Sequence, residues 1–225
     1  MRPRIGVVLV AAGSGTRFGS ESKVLTCLSD RPILQFALEA FVAVEGVRQI
    51  VIVAGQHTFV EVAHLAGQVT GPPTSVCLGG ETRRDSVRLG LAELAADVEY
   101  VLVHDAARPF VDESLIERVI SAAVTCGAAV PVLPVSDTLY EVDDSGAACG
   151  MQARDALRAV QTPQGVRRDW LIEALETPGL FTDEGSAILA CGHPVMTVPG
   201  SVRNIKITWP DDVVLAEALL GGKPA

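Results

Sequence analysis

No apolar run in this 225-residue chain approaches the roughly 20 residues that cross a bilayer, so its positive mean hydropathy must come from short buried segments. Cysteine is sparse in the ways that matter: Cys27, Cys77, Cys126, Cys149 and Cys191 are widely spaced, odd in number and never form Cys-x-x-Cys. That pattern argues against a disulfide framework or a zinc knuckle and reads as reduced, mostly buried thiols. Cations are in deficit, 18 Lys and Arg against 27 Asp and Glu for a net charge of −9, which argues against a nucleic-acid face. Any polyanionic ligand must therefore be held by a local cationic pocket. Of the four histidines, His57, His64 and His193 fall in helix or loop contexts that suit structural or solvated roles, and no catalytic histidine is evident. Met1-Arg2-Pro3-Arg4 leads straight into a strand and makes a poor signal peptide, so a cytoplasmic location is expected.

What the chain does have is 48% hydrophobic residues, enough to bury a full core in one large domain or a domain with an appendage. Apolar runs recur at Ile5 to Val10, Ile50 to Ala54, Ser75 to Leu78, Tyr100 to Val103, Ala128 to Leu133 and Val195 to Val198. Their lack of polar alternation predicts strands covered on both faces, hence a mostly parallel sheet. Helix starts are readable between them: Pro32 opening Ile33 to Val44, Asp112 before Glu113 to Thr125, and Thr208 capping the last helix with Asp211 three residues on. The class is α/β, doubly wound and Rossmann-like. One segment, Ser136 to Ala153, breaks the rhythm: two strand-capable runs flank Asp143-Asp144-Ser145-Gly146, which predicts a protruding β-hairpin. A lone hairpin is marginal in water, so this arm should rest on a partner.

The first strand runs into Ala11-Ala12-Gly13-Ser14-Gly15-Thr16-Arg17-Phe18-Gly19, with Lys23 shortly beyond. Gly13 and Gly15 can take positive φ and let backbone N–H groups approach an anion, and Arg17 and Lys23 supply charge. This is a phosphate loop, but neither of the two familiar kinds. A Walker loop needs Gly-Lys-Ser/Thr, whereas Gly19 precedes Ser20 and Glu21. A dinucleotide loop needs its third glycine at the sixth position, where Phe18 stands.

Asp105, in His104-Asp105-Ala106-Ala107-Arg108-Pro109, ends the fourth strand-like run, where open α/β sheets bind ligands. It suits either a magnesium ligand or a loop and capping role. His104 could orient this loop. Gly79-Gly80-Glu81-Thr82-Arg83-Arg84-Asp85-Ser86 follows the third strand, and reads either as a base and ribose cradle or as an ordinary charged helix start.

Together with Asp137-Thr138, Ala159-Val160-Gln161-Thr162-Pro163-Gln164, Thr182-Asp183-Glu184 and Ile205-Lys206-Ile207-Thr208, these segments resemble the 2-C-methyl-D-erythritol 4-phosphate cytidylyltransferase family from the first strand to the last helix. The resemblance implies one nucleotidyltransferase domain over 1–225, with the hairpin arm at about 136–153, that moves CMP from CTP to a sugar-alcohol phosphate with Mg²⁺. It implies a catalytic role for Arg17 and Lys23, and a nucleotide site of Ala11, Ala12, Gly13, Gly15, Gly80, Arg83, Ser86, Asp105 and Ala106, with Asp105 on the metal. It also implies an acceptor site of Arg108, Thr182 and Lys206, joined by Thr138 and Arg154 from the arm of a second subunit, hence a homodimer. Ribitol 5-phosphate is the alternative acceptor, and a non-catalytic nucleotide-binding protein the alternative of another class. Two positions depart from the family: Ser22 precedes Lys23 where proline is usual, and Arg203 stands where an acidic or small residue is common.

Overall fold

The uninterrupted valines and isoleucines of the first strand have a direct structural cause. In the computed structural model, which describes residues 3–13, 15, 18–19 and 22–222, β1 (Ile5–Ala11) sends Ile5, Val7, Leu9 and Ala11 into one hydrophobic cluster and Val8 into another on the opposite face. A short hairpin of β2 (Cys27–Leu28) and β3 (Arg31–Pro32) leads to α1 (Ile33–Val42), β4 (Val47–Ala54), α2 (Phe59–Gly67), β5 (Thr74–Leu78) and α3 (Arg83–Ala92). Next come β6 (Tyr100–Asp105), α4 (Glu113–Cys126), β7 (Ala128–Pro134), β8 (Leu139–Val142), β9 (Ala148–Gln152), β10 (Arg158–Val160) and β11 (Gln164–Arg167). The chain finishes with α5 (Arg168–Glu176), α6 (Glu184–Ala190), β12 (Met196–Pro199) and α7 (Asp211–Gly221).

The main sheet has the order β10-β7-β11-β6-β1-β4-β5, with β12 paired on β7. The β1–β4, β4–β5, β1–β6 and β7–β12 ladders are parallel. Helices α1, α2 and α4 cover one face of the sheet, while α3, α5 and α6 cover the other, so the doubly wound expectation holds. Two strands were not expected. β10 and β11 run antiparallel along β7, linked by the Gln161 amide donating to the Pro131 carbonyl at 2.8 Å, and β11 is antiparallel to β6 as well.

Asp112 caps α4 as predicted, its carboxylate accepting from the Leu115 amide at 2.7 Å. The cap expected of Thr208 is not made. The helix α7 opens after Pro210, and Asp212 reaches back to accept the amides of Thr208 and Trp209 at 2.7 and 2.8 Å. Proline preset for helical φ replaces a hydroxyl cap, and the acidic first turn meets the positive end of the helix.

The predicted arm is present: β8 and β9 pair antiparallel with each other and belong to no other sheet. At its tip the Asp143 carboxylate accepts from the Ser145 amide, the Ser145 hydroxyl and the Ala147 amide. Leu139, Tyr140, Val142 and Met151 are exposed along it.

Packing of α3 on the sheet sets a steric limit at Gly90. A Cβ there would lie 2.6 Å from Val53 Cγ2 and 2.7 Å from Val8 Cγ1, both on buried strands. Gly67, at the end of α2, faces open space. Gly90→Ala should therefore destabilise by about 1–3 kcal/mol through overpacking. Gly67→Ala should stabilise by about 0.4–1 kcal/mol through the unfolded chain. Urea midpoints check both; a gain from Gly90→Ala would refute the packing argument.

Candidate active site

The chain leaves β1 for β4 on one side and later returns to place β6 on its other side, so a crevice opens at the carboxyl ends of β1 and β6. A cavity of about 450 Å³ lies there. Ala11, Ala12, Gly13, Lys23, Gly80, Arg83, Ser86, Asp105 and Lys206 all line it. These predicted residues are thus brought together. Ala106 is wholly buried beneath, its amide on the Val10 carbonyl, and Ala107 lines the cavity in its place. Gly15 takes the expected positive φ, 62°, whereas Gly13 does not, and a Cβ on Gly13 would meet nothing within 4 Å among the described residues. Arg17 lies outside the described residues.

The glycines of the Gly79-Gly80 turn serve packing first. A Cβ on Gly79 would meet Ala12 Cβ at 2.3 Å, and one on Gly80 would meet Asp85 Cβ at 2.4 Å. Ser86 holds the same turn: its hydroxyl accepts from the Gly80 amide at 3.2 Å and donates to the Thr82 carbonyl at 3.0 Å. Thr82 and Asp85 cap α3 reciprocally. The segment is therefore both a well-capped helix start and a cavity wall.

Arg83, on the first turn of α3, is the electrostatic centre. Its Nη1 and Nη2 donate to the two oxygens of Glu184 at 2.6 and 3.1 Å, and its Nε donates to Asp105 Oδ1 at 3.2 Å. Lys206 Nζ donates to Asp105 Oδ2 at 2.6 Å. Burial alone would push the Asp105 carboxyl up, but Arg83 and then Lys206 outweigh it and hold the group well below the usual carboxylate range. Glu184 is 4% exposed, and burial pushes its carboxyl up against the pull of Arg83. The two-pronged contact is that of an ionised carboxylate with a guanidinium.

A second cavity of about 310 Å³ shares Arg83, Asp105 and Lys206 with the first, so these three side chains form a common wall. Arg108, Thr162, Gln164 and Thr182 line its far side. Arg108 Nη1 donates to the Asn204 carbonyl at 2.8 Å, while its Nε is buried with no hydrogen-bond partner among the described residues. Gln164 braces α6, accepting the Gly185 amide and donating to Asp183, both at 2.8 Å. Arg108, Thr182 and Lys206 are thus gathered as predicted. Thr138 and Arg154 are not: both are exposed on the arm, Arg154 donating to the Ser136 carbonyl, and neither lines either cavity.

The two departures resolve locally. Ser22 takes φ −72°, the value proline would impose, and its carbonyl accepts from the amides of Leu25 and Thr26, closing the short turn that carries Lys23. Arg203 donates to the Leu219 carbonyl at 2.7 Å and so ties off α7.

Residue-by-residue reading missed Glu184 and Asn204, and left His104 and Thr162 without partners. Asp105 N–H donates to Thr162 Oγ1 at 3.1 Å, Thr162 Oγ1 lies 3.0 Å from His104 Nδ1, and His104 Nε2 lies 3.2 Å from the Arg108 carbonyl. A carbonyl can only accept, so Nε2 carries the hydrogen and Nδ1 accepts the threonine hydroxyl. Asn204 Nδ2 donates to the Thr162 carbonyl at 2.8 Å. This chain fixes both ends of the Asp105 to Arg108 loop, as the orienting role expected of His104 requires.

Complete burial holds His104 at a pKa of about 4, below the ordinary value near 6.5. Between those values an unfolded chain takes up a proton that the fold refuses, so stability is lost as pH falls through that window. The slope is about 1.4 kcal/mol per pH unit for one group. Denaturant unfolding should show the stability advantage over His104→Gln shrinking by about 2–3 kcal/mol between pH 7.5 and 4.5. A pH-independent difference would contradict the neutral, buried imidazole.

Known proteins resemble the chain over nearly its whole length. The family model described as 2-C-methyl-D-erythritol 4-phosphate cytidylyltransferase matches residues 5–222. A protein of that name from Frankia casuarinae is 44% identical over 97% of this chain and 82% of its own length. The crystal structure of one from Thermus thermophilus superposes with TM-score 0.76 at 36% identity, covering 94% of this chain and 97% of that one. The crystal structure of a 4-diphosphocytidyl-2C-methyl-D-erythritol synthase from Anaerococcus prevotii gives TM-score 0.86 at 26% identity, covering 99% and 100%. The chain belongs to the 2-C-methyl-D-erythritol 4-phosphate cytidylyltransferase family.

Proposed function

We propose that the two cavities hold the two substrates of a cytidylyl transfer, CTP in the larger and 2-C-methyl-D-erythritol 4-phosphate in the smaller. The observation that carries this reading is their shared cationic wall, Arg83 and Lys206 about Asp105. An acceptor phosphate oxygen attacks the α-phosphorus of CTP, the bond to the β-phosphate oxygen breaks, and pyrophosphate leaves. The nucleophile is ionised at neutral pH, so no general base is required. This suits a site whose buried histidine is committed to holding a loop.

The difficulty is charge rather than proton transfer: two anions must meet while negative charge grows on the α-phosphate oxygens. Fixed cations answer this. Lys23, and Arg17 by family resemblance, act at the transition state, and Arg108 with Lys206 binds the acceptor phosphate. The buried, unpartnered Nε of Arg108 supports that role. Asp105 fits a Mg²⁺ ligand: Mg²⁺ takes one or two protein carboxylates and completes its shell with phosphate and water, and this carboxylate is ionised at the cavity wall. Bound there, the ion would neutralise triphosphate charge. Lys206 or Arg83 would then give up its hold on Asp105.

The exposed apolar residues of the arm support a homodimer, in which Thr138 and Arg154 complete the acceptor site of the other subunit. Among the described residues no helix is long and apolar enough to cross a membrane, and a CTP-consuming reaction suits the cytoplasm.

Pyrophosphate release with CTP, Mg²⁺ and each candidate acceptor tests the reading. Turnover is expected with methylerythritol phosphate and not with ribitol 5-phosphate; the reverse would reassign the acceptor. Lys23→Ala should lose about 10²–10³ in kcat while folding normally, the cost of one transition-state donor. Mixing Arg154→Ala chains with Lys23→Ala chains should restore activity through heterodimers that keep one intact site. No recovery above either parent would remove the shared site.

A further inference from the structure

The segment that carries Lys23 is held from outside the cavity. After the turn at Lys23–Leu25 the chain makes the β2–β3 hairpin, whose two central residues, Ser29 and Asp30, have φ of 45° and 70°. A two-residue hairpin turn favours left-handed φ at both positions, which is why Asn-Gly or Asp-Gly usually fills it. Here neither position is glycine and only Asp30 is of a type that readily takes left-handed φ, so the turn is weakly specified by its own residues. The missing specification comes from the other end of the chain. Glu217, on α7, accepts the Ser29 amide at one carboxylate oxygen and the Ser29 hydroxyl at the other, both at 2.8 Å. Strained backbone persists only where its surroundings hold it, and it gathers at functional sites.

The same helix packs against the segments that carry Lys23 and Lys206. Leu28 and Ile33 flank the turn, Ile207 follows Lys206, and Ala216 precedes Glu217; these four form one fully buried cluster, with Phe18 and Ile205 against it. Ile207 is registered in turn by its amide on the Ala107 carbonyl at 2.9 Å. Lys23 and Lys206 thus approach the cavity from two segments that meet on α7.

We propose that Glu217 is a positioning residue for phosphoryl transfer, clamping the Ser29–Asp30 turn so that the Lys23 segment keeps its place at the cavity that Lys206 also lines. This rests on the transition-state role of Lys23 proposed above. Glu217 touches neither cavity, so its removal displaces Lys23 without changing any group that binds substrate. A misplacement of about 1 Å far from the chemistry can cost on the order of 10²-fold.

Steady-state kinetics of Glu217→Ala should show kcat lowered roughly 10- to 100-fold with KM for CTP nearly unchanged, since the lost interaction is made in the transition state. In a Lys23→Ala background the same substitution should cost nothing further. Asp30→Gly, which lets the turn form unaided, should recover most of the rate in Glu217→Ala. Ser29→Ala, which deletes one donor, should lower kcat in the same direction by less, and keeps the test available if Glu217→Ala does not fold. Multiplicative losses in the double variant would overturn the proposal, as would turnover by Glu217→Ala equal to that of the parent. Full turnover by Lys23→Ala alone would instead overturn the reading of Lys23, and the proposal with it.

Discussion

Arg83 shared between Glu184 and Asp105 is the contact on which the rest of the site depends. Three elements meet in it: α3 supplies the guanidinium, α6 one carboxylate and β6 the other. Such a cluster is poor as a source of stability, because desolvating buried charges cancels most of their attraction, while removing one partner leaves a stranded charge costing about 3–5 kcal/mol. Its value lies in geometry. Nη1 and Nη2 meet Glu184, Nε and the shared Nη2 meet Asp105 Oδ1, and Lys206 takes the other Asp105 oxygen. The carboxylate is kept ionised, and the cations are kept within reach of both cavities. A preorganised field of this kind needs no reorganisation when charge develops on a bound phosphate.

Around that centre one chain of hydrogen bonds runs in a consistent direction, beside two buried atoms with no hydrogen-bond partner among the described residues, Arg108 Nε and Asn204 Oδ1. The Asp105 amide, the Thr162 hydroxyl and the neutral His104 ring pass hydrogen bonds one way to the Arg108 carbonyl, and Asn204 ties Thr162 to the segment bearing Lys206. Buried networks of this sort hold their members to one arrangement. Reversing one member, by protonating the imidazole for instance, would set a donor against a donor. Arg84 plays a comparable part on the outer side, its guanidinium donating to the carbonyls of Ala174, Leu175 and Gly179 around the end of α5. Adjacent arginines at one helix start therefore do different work, one lining both cavities and one on the loop that leads to Thr182.

Much of this was legible in the sequence where a local rule decides the outcome. Two-faced burial made the parallel strands continuous in Val and Ile, Asp112 announced α4, and Asp143 to Gly146 announced the arm. β10 escaped because Arg158-Ala159-Val160 is short and exposed, with no periodicity to read, and β11 because Gln164 and Arg167 interrupt its apolar residues. The Thr208 cap failed because Pro210 and Asp212 offered the same amides a better arrangement. Glu184 stood in a quoted motif, yet its partner lies 101 residues away, and no spacing rule spans that distance. Glu217 and Ser29, 188 residues apart, carry no motif at all. What a sequence conceals is long-range pairing of ordinary polar residues.

The charge balance of the chain then becomes intelligible. A protein of net charge −9 would repel a triphosphate if its charge acted as a whole, but exposed charges are screened beyond about 8 Å at physiological salt. Inside a half-closed cavity the screening is weaker, and the nearest groups dominate. There Lys23, Arg83 and Lys206 face a carboxylate already neutralised by two of them. The acidic surface and the cationic cleft therefore coexist, the first opposing non-specific binding of polyanions and the second presenting fixed positive charge to an anion small enough to enter. An excess of surface Lys or Arg would raise affinity for any polyanion without improving a transition state, because only cations fixed where charge develops can respond to it.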